Sequence, residues 1–435
     1  MNKLRKIAYS SASIAFEISY SSFGAFILFF YVDVVKLGVG LAGLGMAIWG
    51  VWNALNDPVF GLISDRTRTP WGRRVPYLVA SAIPFGLVYF LMWTPPFGLG
   101  QQALLFAYYL IFICLFDLFY SIATISWSSL FPEMFKTPAE RSEVNTYRQA
   151  FTFVGVLMGV ALPPLIYSTL GWQWMGAAFA AVIIISIFVS LLGSSEKKEA
   201  YQEKPLPLKE ILKFTFMNRS MITFVLSYLF VQFVIVLIQA VIPFYTKYVL
   251  GLSPKATSML LLILFLVCII TMFIWRYVNV RLGTKNTYVL GCIILGVCFL
   301  PFLVVKGFLP ALITSALCGV GLAGVVLTRD LLIADIIDED VLKTRGHHEG
   351  IYFGFTTFVR RLSIMLKAGS FSLVFMITGY NASLAVQPEA FLTGLRILSS
   401  FFPFVALILA IVIIRYYPLD KKRVAEIRAE LDKTG

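Results

Sequence analysis

Charge is what this sequence has least of: Asp, Glu, Lys and Arg together make up 14% of 435 residues. A water-soluble chain of this length needs more polar surface than that, so lipid rather than water is the expected solvent. Histidine is nearly absent, with two residues, His347 and His348, side by side in a polar stretch. Cysteine is scarce too, and Cys114, Cys268, Cys292, Cys298 and Cys318 all fall inside apolar segments with no CxxC spacing. They read as small packing residues rather than disulfides or metal ligands. HExxH, GxSxG and any cysteine–histidine pair are missing from the sequence, which leaves a membrane-embedded enzyme as a distant alternative only. No metal site and no cofactor is expected.

What is present is apolar. The chain is 59% hydrophobic with 39 Phe and 20 Tyr, its mean hydropathy is +0.84, and its apolar runs reach the roughly 20 residues that span a bilayer. Breaking these runs at polar, Gly and Pro clusters predicts twelve transmembrane helices over 8–32, 41–63, 75–94, 102–131, 145–168, 173–193, 216–248, 255–278, 288–306, 309–337, 350–378 and 391–416. The opening Met-Asn-Lys-Leu-Arg-Lys runs into a long segment containing Glu17 with no small-residue cleavage site, so it reads as the first helix and not as a removed signal peptide. Alternate loops carry the basic residues. One side has Lys3, Arg5 and Lys6, then Arg66, Arg68, Arg73 and Arg74, then Lys136 and Arg141, Arg281 and Lys285, Lys343 and Arg345, and the tail. The positive-inside rule makes that side, with both termini, cytoplasmic. It also accounts for the net charge of +13 without nucleic acid.

The longest polar stretch divides the chain. The expected organisation is an N-terminal six-helix bundle over 1–193, a cytoplasmic linker over 194–215, a C-terminal six-helix bundle over 216–416 and a cytoplasmic tail over 417–435. Leu208-Lys209-Glu210-Ile211-Leu212-Lys213 has amphipathic spacing and suits a short helix on the membrane surface. Trp71-Gly72-Arg73-Arg74-Val75-Pro76-Tyr77 and Leu282-Gly283-Thr284-Lys285-Asn286-Thr287-Tyr288 repeat Gly, a basic residue and Tyr in corresponding loops, as duplication predicts.

Charges inside spans are costly and mark cavities or partners. The acids are Glu17, Asp57, Asp117 and Asp335; the bases are Arg148, Arg329, Arg360, Arg361 and Lys367. Helix–helix salt bridges with no solute contact are the plainer reading of any one of them. At the basic-loop side, Asp65 with Arg73, Arg74 and Arg141 is expected to form a gating charge network; ordinary positive-inside loops are the alternative.

The run from Asn53 to Tyr77, with Asn56-Asp57-Pro58 and Asp65-Arg66-Thr67-Arg68-Thr69-Pro70-Trp71-Gly72-Arg73-Arg74 within it, closely resembles the glycoside-pentoside-hexuronide:cation symporters of the major facilitator superfamily. The sodium-dependent lysolipid carriers of animals belong to the same group. Pro132-Glu133-Met134, Glu140-Arg141, Asn218-Arg219, Ala334-Asp335-Ile336-Ile337-Asp338-Glu339-Asp340 and Tyr417-Pro418-Leu419-Asp420 extend the resemblance along essentially the whole chain. It implies an all-α membrane protein with the major facilitator fold, two six-helix bundles working by alternating access.

The resemblance also assigns roles. The family's cation site uses two Asp one turn apart with an intervening Asn; here the positions hold Asn53, Asn56 and Asp57, with Ser121 matching a hydroxyl of the same site. One carboxylate in a low-dielectric pocket is suited to a proton, so H⁺ is favoured over Na⁺, with uncoupled transport also open. The family's acid on the first helix maps to Glu17 and its Arg on the fifth to Arg148. Its essential Asp on the fourth helix maps to Thr124 and a neighbouring Trp to Ser128. Both departures argue against the galactoside specificity of the type member. Asp117, seven residues before Thr124, is the candidate replacement acid. The Lys of the eleventh helix maps to Arg361 by one count and to Lys367 by another. The expected function is therefore symport of a sugar, glycoside or related hydroxylated or anionic solute across the cell membrane by a monomer surrounded by membrane lipid. A lysolipid or other amphiphile is the alternative cargo.

Overall fold

A computed structural model describes residues 2–98, 100–135, 137–196, 218–344, 349–384 and 386–434. Among them are twelve long helices: α1 (Lys3–Val34), α2 (Val39–Arg66), α3 (Val75–Met92), α4 (Gln102–Met134), α5 (Pro138–Tyr167), α6 (Trp172–Gly193), α7 (Arg219–Val249), α8 (Pro254–Leu282), α9 (Thr284–Leu303), α10 (Phe308–Thr344), α11 (Glu349–Ile377) and α12 (Glu389–Ile414). A thirteenth, α13 (Lys421–Thr434), lies beyond them. Ten of the twelve are long and apolar enough to cross a membrane among the described residues. The other two, α2 and α11, have the length but carry the polar residues Asn53, Asn56 and Asp57, and Arg360, Arg361 and Lys367. Helices suit a lipid solvent because every backbone group is paired within its own segment.

Most boundaries fall near the sequence reading, but the polar ends run further. α5 begins at Pro138 rather than near 145, because the Thr137 hydroxyl caps the Glu140 N–H at 3.3 Å and Pro138 occupies the first turn. α10 likewise continues to Thr344. Hydropathy ends where a segment turns polar, whereas the helix ends where its backbone donors and acceptors find other partners. Of the expected linker only Ser194-Ser195-Glu196 is described, and the proposed surface helix at 208–213 lies outside the described residues.

The chain forms two compact units, Met1–Lys204 with Asn381–Ala385, and Pro205–Tyr380 with Val386–Gly435. Their internal packing follows one plan. In the first, α1 packs on α5 and α6, α4 on α2 and α3, and α3 on α6. In the second, α7 packs on α11 and α12, α10 on α8 and α9, and α9 on α12. The detail repeats as well. α1 and α7 both finish in a π turn, Phe29–Val34 and Tyr245–Val249. The Tyr31 hydroxyl donates to the Met92 carbonyl at 2.9 Å, and Tyr245 donates to Phe302 at 2.8 Å. Gly72 and Gly283, the glycines of the loop repeat, both adopt left-handed φ, +105° and +80°, in the loops that lead into α3 and α9. Close helix contact needs small residues. A Cβ on Gly159 of α5 would lie 2.8 Å from the Ile18 carbonyl oxygen of α1, and Gly155 one turn earlier meets Ile14 the same way.

Candidate functional site

The first unit gathers most of the expected ion-site residues at the α2–α4 contact. Asn53, Asn56 and Asp57 lie within one turn and a third of α2, while Asp117 and Ser121 are one turn apart on α4. The Asn53 amide donates to the Asp117 carboxylate. Asn56 donates to the same carboxylate and to the Asp117 backbone carbonyl, both at 3.3 Å. Ser121 donates to the Asp57 carboxylate at 2.5 Å. Asn53, Asn56, Asp117 and Ser121 are buried, and Asp57 is half-buried.

Asp117, the candidate replacement acid seven residues before Thr124, has its carboxylate on both α2 amides, where α4 packs on α2. Asp57, held by Ser121, and Asp117, held by Asn53 and Asn56, thus both lie at the α2–α4 contact. Thr124 follows on the same face, and its hydroxyl oxygen is buried with no hydrogen-bond partner among the described residues.

A second group surrounds Arg148 of α5. The guanidinium lies over the Trp127 ring at 4.3 Å and the Phe131 ring at 4.7 Å, both on α4 and one turn apart. Such contacts contribute about 0.5–2 kcal/mol. Trp127 is itself fixed: its indole N–H donates to the Tyr9 carbonyl at 2.9 Å, the Tyr9 hydroxyl donates to the Trp127 carbonyl at 2.8 Å, and the two rings stack at 5.1 Å. Glu17 is half-buried on α1, where its Cβ faces Gly155 of α5. Ser128 is exposed.

In the second unit the two candidates of α11 differ sharply. Lys367 is fully buried and Arg361 half-exposed; six residues apart, they project roughly 120° from each other. Asp335 of α10 is buried, while Arg329 forks onto its neighbour Asp330 at 2.7 and 3.2 Å.

The side chain of Asp65 lies outside the described residues. Arg73 pairs with Glu133 at 2.5 Å, Arg74 donates to the Ser64 hydroxyl, and Arg141 donates to the Phe135 carbonyl at 2.8 Å. A further acid at these arginines is Glu196, just past α6. Its carboxylate accepts the backbone N–H groups of Arg73, Arg74 and Val75 at 2.8, 2.9 and 3.3 Å, at the start of α3, with Arg73 Nε 3.8 Å away. Sequence reasoning missed Glu196 because an acid after Gly193-Ser194-Ser195 looks like ordinary linker. It missed Trp127 because a Trp in an apolar helix looks like core; its one available signal is the i, i+4 pair with Phe131.

Residues 8–421 match the family model described as MFS/sugar transport protein. An uncharacterized symporter of Synechocystis sp. is 25% identical over 98% of this chain and 96% of its own length. The sodium-dependent lysophosphatidylcholine symporter 1-A of Danio rerio is 23% identical over 96% and 86%. The isoprimeverose transporter of Lactiplantibacillus pentosus is 25% identical over 96% and 88%. Among solved structures, a bacterial homolog of the human lysosomal transporter Spinster aligns with a TM-score of 0.70 at 12% identity, covering 96% of this chain and 98% of that one. That likeness carries the fold alone.

Proposed function

The chain belongs to the MFS/sugar transport protein family, and from that premise we propose that this secondary transporter is cation-coupled and moves a sugar-like, hydroxylated or anionic solute by alternating access. The observation that carries the coupling is the α2–α4 cluster. Two carboxylates, Asp57 and Asp117, share one largely buried polar site, and charge at that depth calls for neutralisation. One bound monovalent cation offsets one of the two charges, while the Asn53 and Asn56 amides stabilise the carboxylate of Asp117.

A proton is the cation we favour. Asp117 is already held by two amide N–H groups and Asp57 by a hydroxyl, so a metal ion would have to turn these donors away before finding oxygen ligands. A proton on Asp57 requires no such rearrangement. Glu17 and Thr124 would meet solute hydroxyls, and Arg148 with Arg361 or Lys367 would donate to hydroxyl or anionic oxygens. The alternation of basic loops supports a cell-membrane location with cytoplasmic termini, and a monomer suffices for this mechanism.

An amphiphilic cargo is the second reading, supported by the full-length similarity to a lysophosphatidylcholine symporter. Reconstitution in proteoliposomes separates these readings. Sugars, sugar acids and lysolipids are screened for uptake under a pH gradient and, separately, a Na⁺ gradient. Accumulation driven by the pH gradient is expected, and Asp57→Asn should lose accumulation while keeping exchange. Na⁺ stimulation without any pH response overturns the proton assignment; full accumulation by Asp57→Asn removes this residue from coupling.

A further inference from the structure

The basic residues of the two units differ in what holds them. In the first, Lys6 pairs with Glu143 at 2.7 Å, Arg73 pairs with Glu133 at 2.5 Å, Arg74 donates to the Ser64 hydroxyl and Arg141 donates to the Phe135 carbonyl at 2.8 Å. In the second, Arg276 and Arg281 of α8, Arg415 just past α12 and Lys422 of α13 are all exposed. Among the described residues none of these four side chains has an acid or a carbonyl as partner. From Arg276 to Lys285 and from Arg415 to Glu426 the chain carries seven bases against two acids, Asp420 and Glu426. Both acids are engaged locally. Asp420 accepts the Arg423 backbone N–H at 2.8 Å, and Glu426 pairs with the Arg423 side chain at 3.0 Å.

Two crossed lysines bring these segments together. Lys421, at the start of α13, donates to the Val280 and Arg281 carbonyls at 3.1 and 3.0 Å and closes the end of α8. Lys285, at the start of α9, donates to the Arg415 and Tyr417 carbonyls at 2.9 and 2.6 Å and closes the end of α12. A cation at a helix C-terminus is favourable, so both ammonium groups are occupied while Arg281, Arg415 and Lys422 are not. The tail lies close against the α8–α9 turn: a Cβ on Gly283 would stand 2.8 Å from the Lys421 Cβ. Tyr417, Leu419 and Ile427 are buried, and the Tyr417 hydroxyl donates to the Leu332 carbonyl of α10 at 3.3 Å. The junction is therefore a built part of the unit, and it carries a surplus of positive charge.

The charge borders an apolar face. Phe273, Ile274, Tyr277 and Val280, near the end of α8, are each at least 62% exposed. Phe273, Tyr277 and Val280 share one side of the helix at i, i+4, i+7 spacing. In a protein whose solvent is lipid, such a face meets acyl chains. Tyr277 follows Arg276, and the exposed Tyr416 follows Arg415; aromatic rings beside bases mark the headgroup level of a bilayer. A phospholipid brings both a phosphate for the bases and acyl chains for the apolar face, whereas an acidic soluble protein brings only the first.

We propose that this junction is the headgroup site of an anionic phospholipid of the cytoplasmic leaflet, held by Arg281, Arg415 and Lys422, and that the lipid fixes the start of α13 to the α8–α9 turn. The inference rests on the placement of the basic loops at the cytoplasmic face and is independent of cargo and coupling ion. Phosphate oxygens accept from guanidinium and ammonium donors alike. Each base at an anionic membrane surface strengthens binding about fivefold. The bound anion also offsets the repulsion among bases that the crossed lysines hold together.

The test uses purified full-length protein in detergent, titrated with dioleoylphosphatidylglycerol or dioleoylphosphatidylcholine and read by native mass spectrometry. Wild type is expected to bind phosphatidylglycerol about tenfold tighter or more. Arg281→Gln, Arg415→Gln and Lys422→Gln together should bring the two lipids within about twofold of each other. Removing as many exposed bases from the first unit, by Lys3→Gln, Arg5→Gln and Arg68→Gln, should leave the preference intact; a general response to net positive charge would not. Arg281→Lys, Arg415→Lys and Lys422→Arg together keep the charge, control for folding and should keep most of the preference. In nanodiscs, backbone hydrogen exchange over 421–434 should be about tenfold slower with phosphatidylglycerol than with phosphatidylcholine alone, in wild type but not in the glutamine variant. Equal binding of the two lipids by wild type overturns the proposal, as does an unchanged preference in the glutamine variant. Displacement of the lipid by an equal concentration of inorganic phosphate also overturns it, since the site would then be one for a soluble anion. Equal exchange in both lipids refutes the hold on α13. No solute or ion gradient enters these measurements, so their failure leaves the transporter reading standing, and failure of that reading leaves the lipid preference to be observed.

Discussion

Removing the carboxylate of Glu196 tests whether the start of α3 is held by the residues that follow α6. The Arg74 side chain caps no backbone group at the start of α3, so the three N–H groups at 2.8, 2.9 and 3.3 Å depend on Glu196. Glu196→Ala loses a cap worth about 1 kcal/mol. It also loses an anion at a helix N-terminus, worth about 1–2 kcal/mol where partly buried, and this side chain is only 3% exposed. Arg73 keeps Glu133, so the broken ion pair adds little, about 0–1 kcal/mol. The sum is about 2–4 kcal/mol, which for a unit of roughly 200 residues lowers Tm by about 4–16 °C. Glu196→Gln keeps an acceptor oxygen but loses the charge, and should fall by about half as much. Thermal unfolding of the purified variants in detergent reads both. If Glu196→Ala melts within ~1 °C of wild type, the bonds to α3 are not what holds its first turn, and the reasoning fails.

Three further outcomes follow from the same geometry. Asn53→Asp sets a third carboxylate against Asp117 in place of an amide donor, so uptake should become Na⁺-stimulated; a variant with unchanged ion dependence refutes the cluster as the coupling site. Gly159→Leu forces α1 and α5 apart where a Cβ would already stand 2.8 Å from the Ile18 carbonyl oxygen, and should destabilise by about 1–3 kcal/mol; unaltered thermal stability contradicts that close approach. Cysteines introduced at positions 100 and 197, on a background lacking the five native ones, should react with impermeant reagents from opposite sides of the membrane; labelling of both from outside breaks the twelve-span topology.

Sequence alone determined the solvent, and the solvent determined the architecture. With apolar runs of bilayer length and few charges, only helices satisfy the backbone in lipid, so twelve spans could be counted and their loops ordered by basic residues. The helix-2 run from Asn53 to Tyr77 was specific enough to name a family, and the charges buried within spans were visible because each is costly. What the sequence did not determine is which residue faces which. That Asp117 meets Asn53 and Asn56 follows from α2 packing on α4, a contact between segments some 60 residues apart. Glu196 found the start of α3 from more than 120 positions away, and nothing in its local sequence marks that contact. Arg148 could be picked out as a charge in a span, but its contact with the rings of Trp127 and Phe131 exists only once the fold brings that side chain to α4. Periodicity and hydropathy are local, and report the environment each residue must enter; partners are chosen by the tertiary fold, which brings distant helix faces within hydrogen-bonding distance.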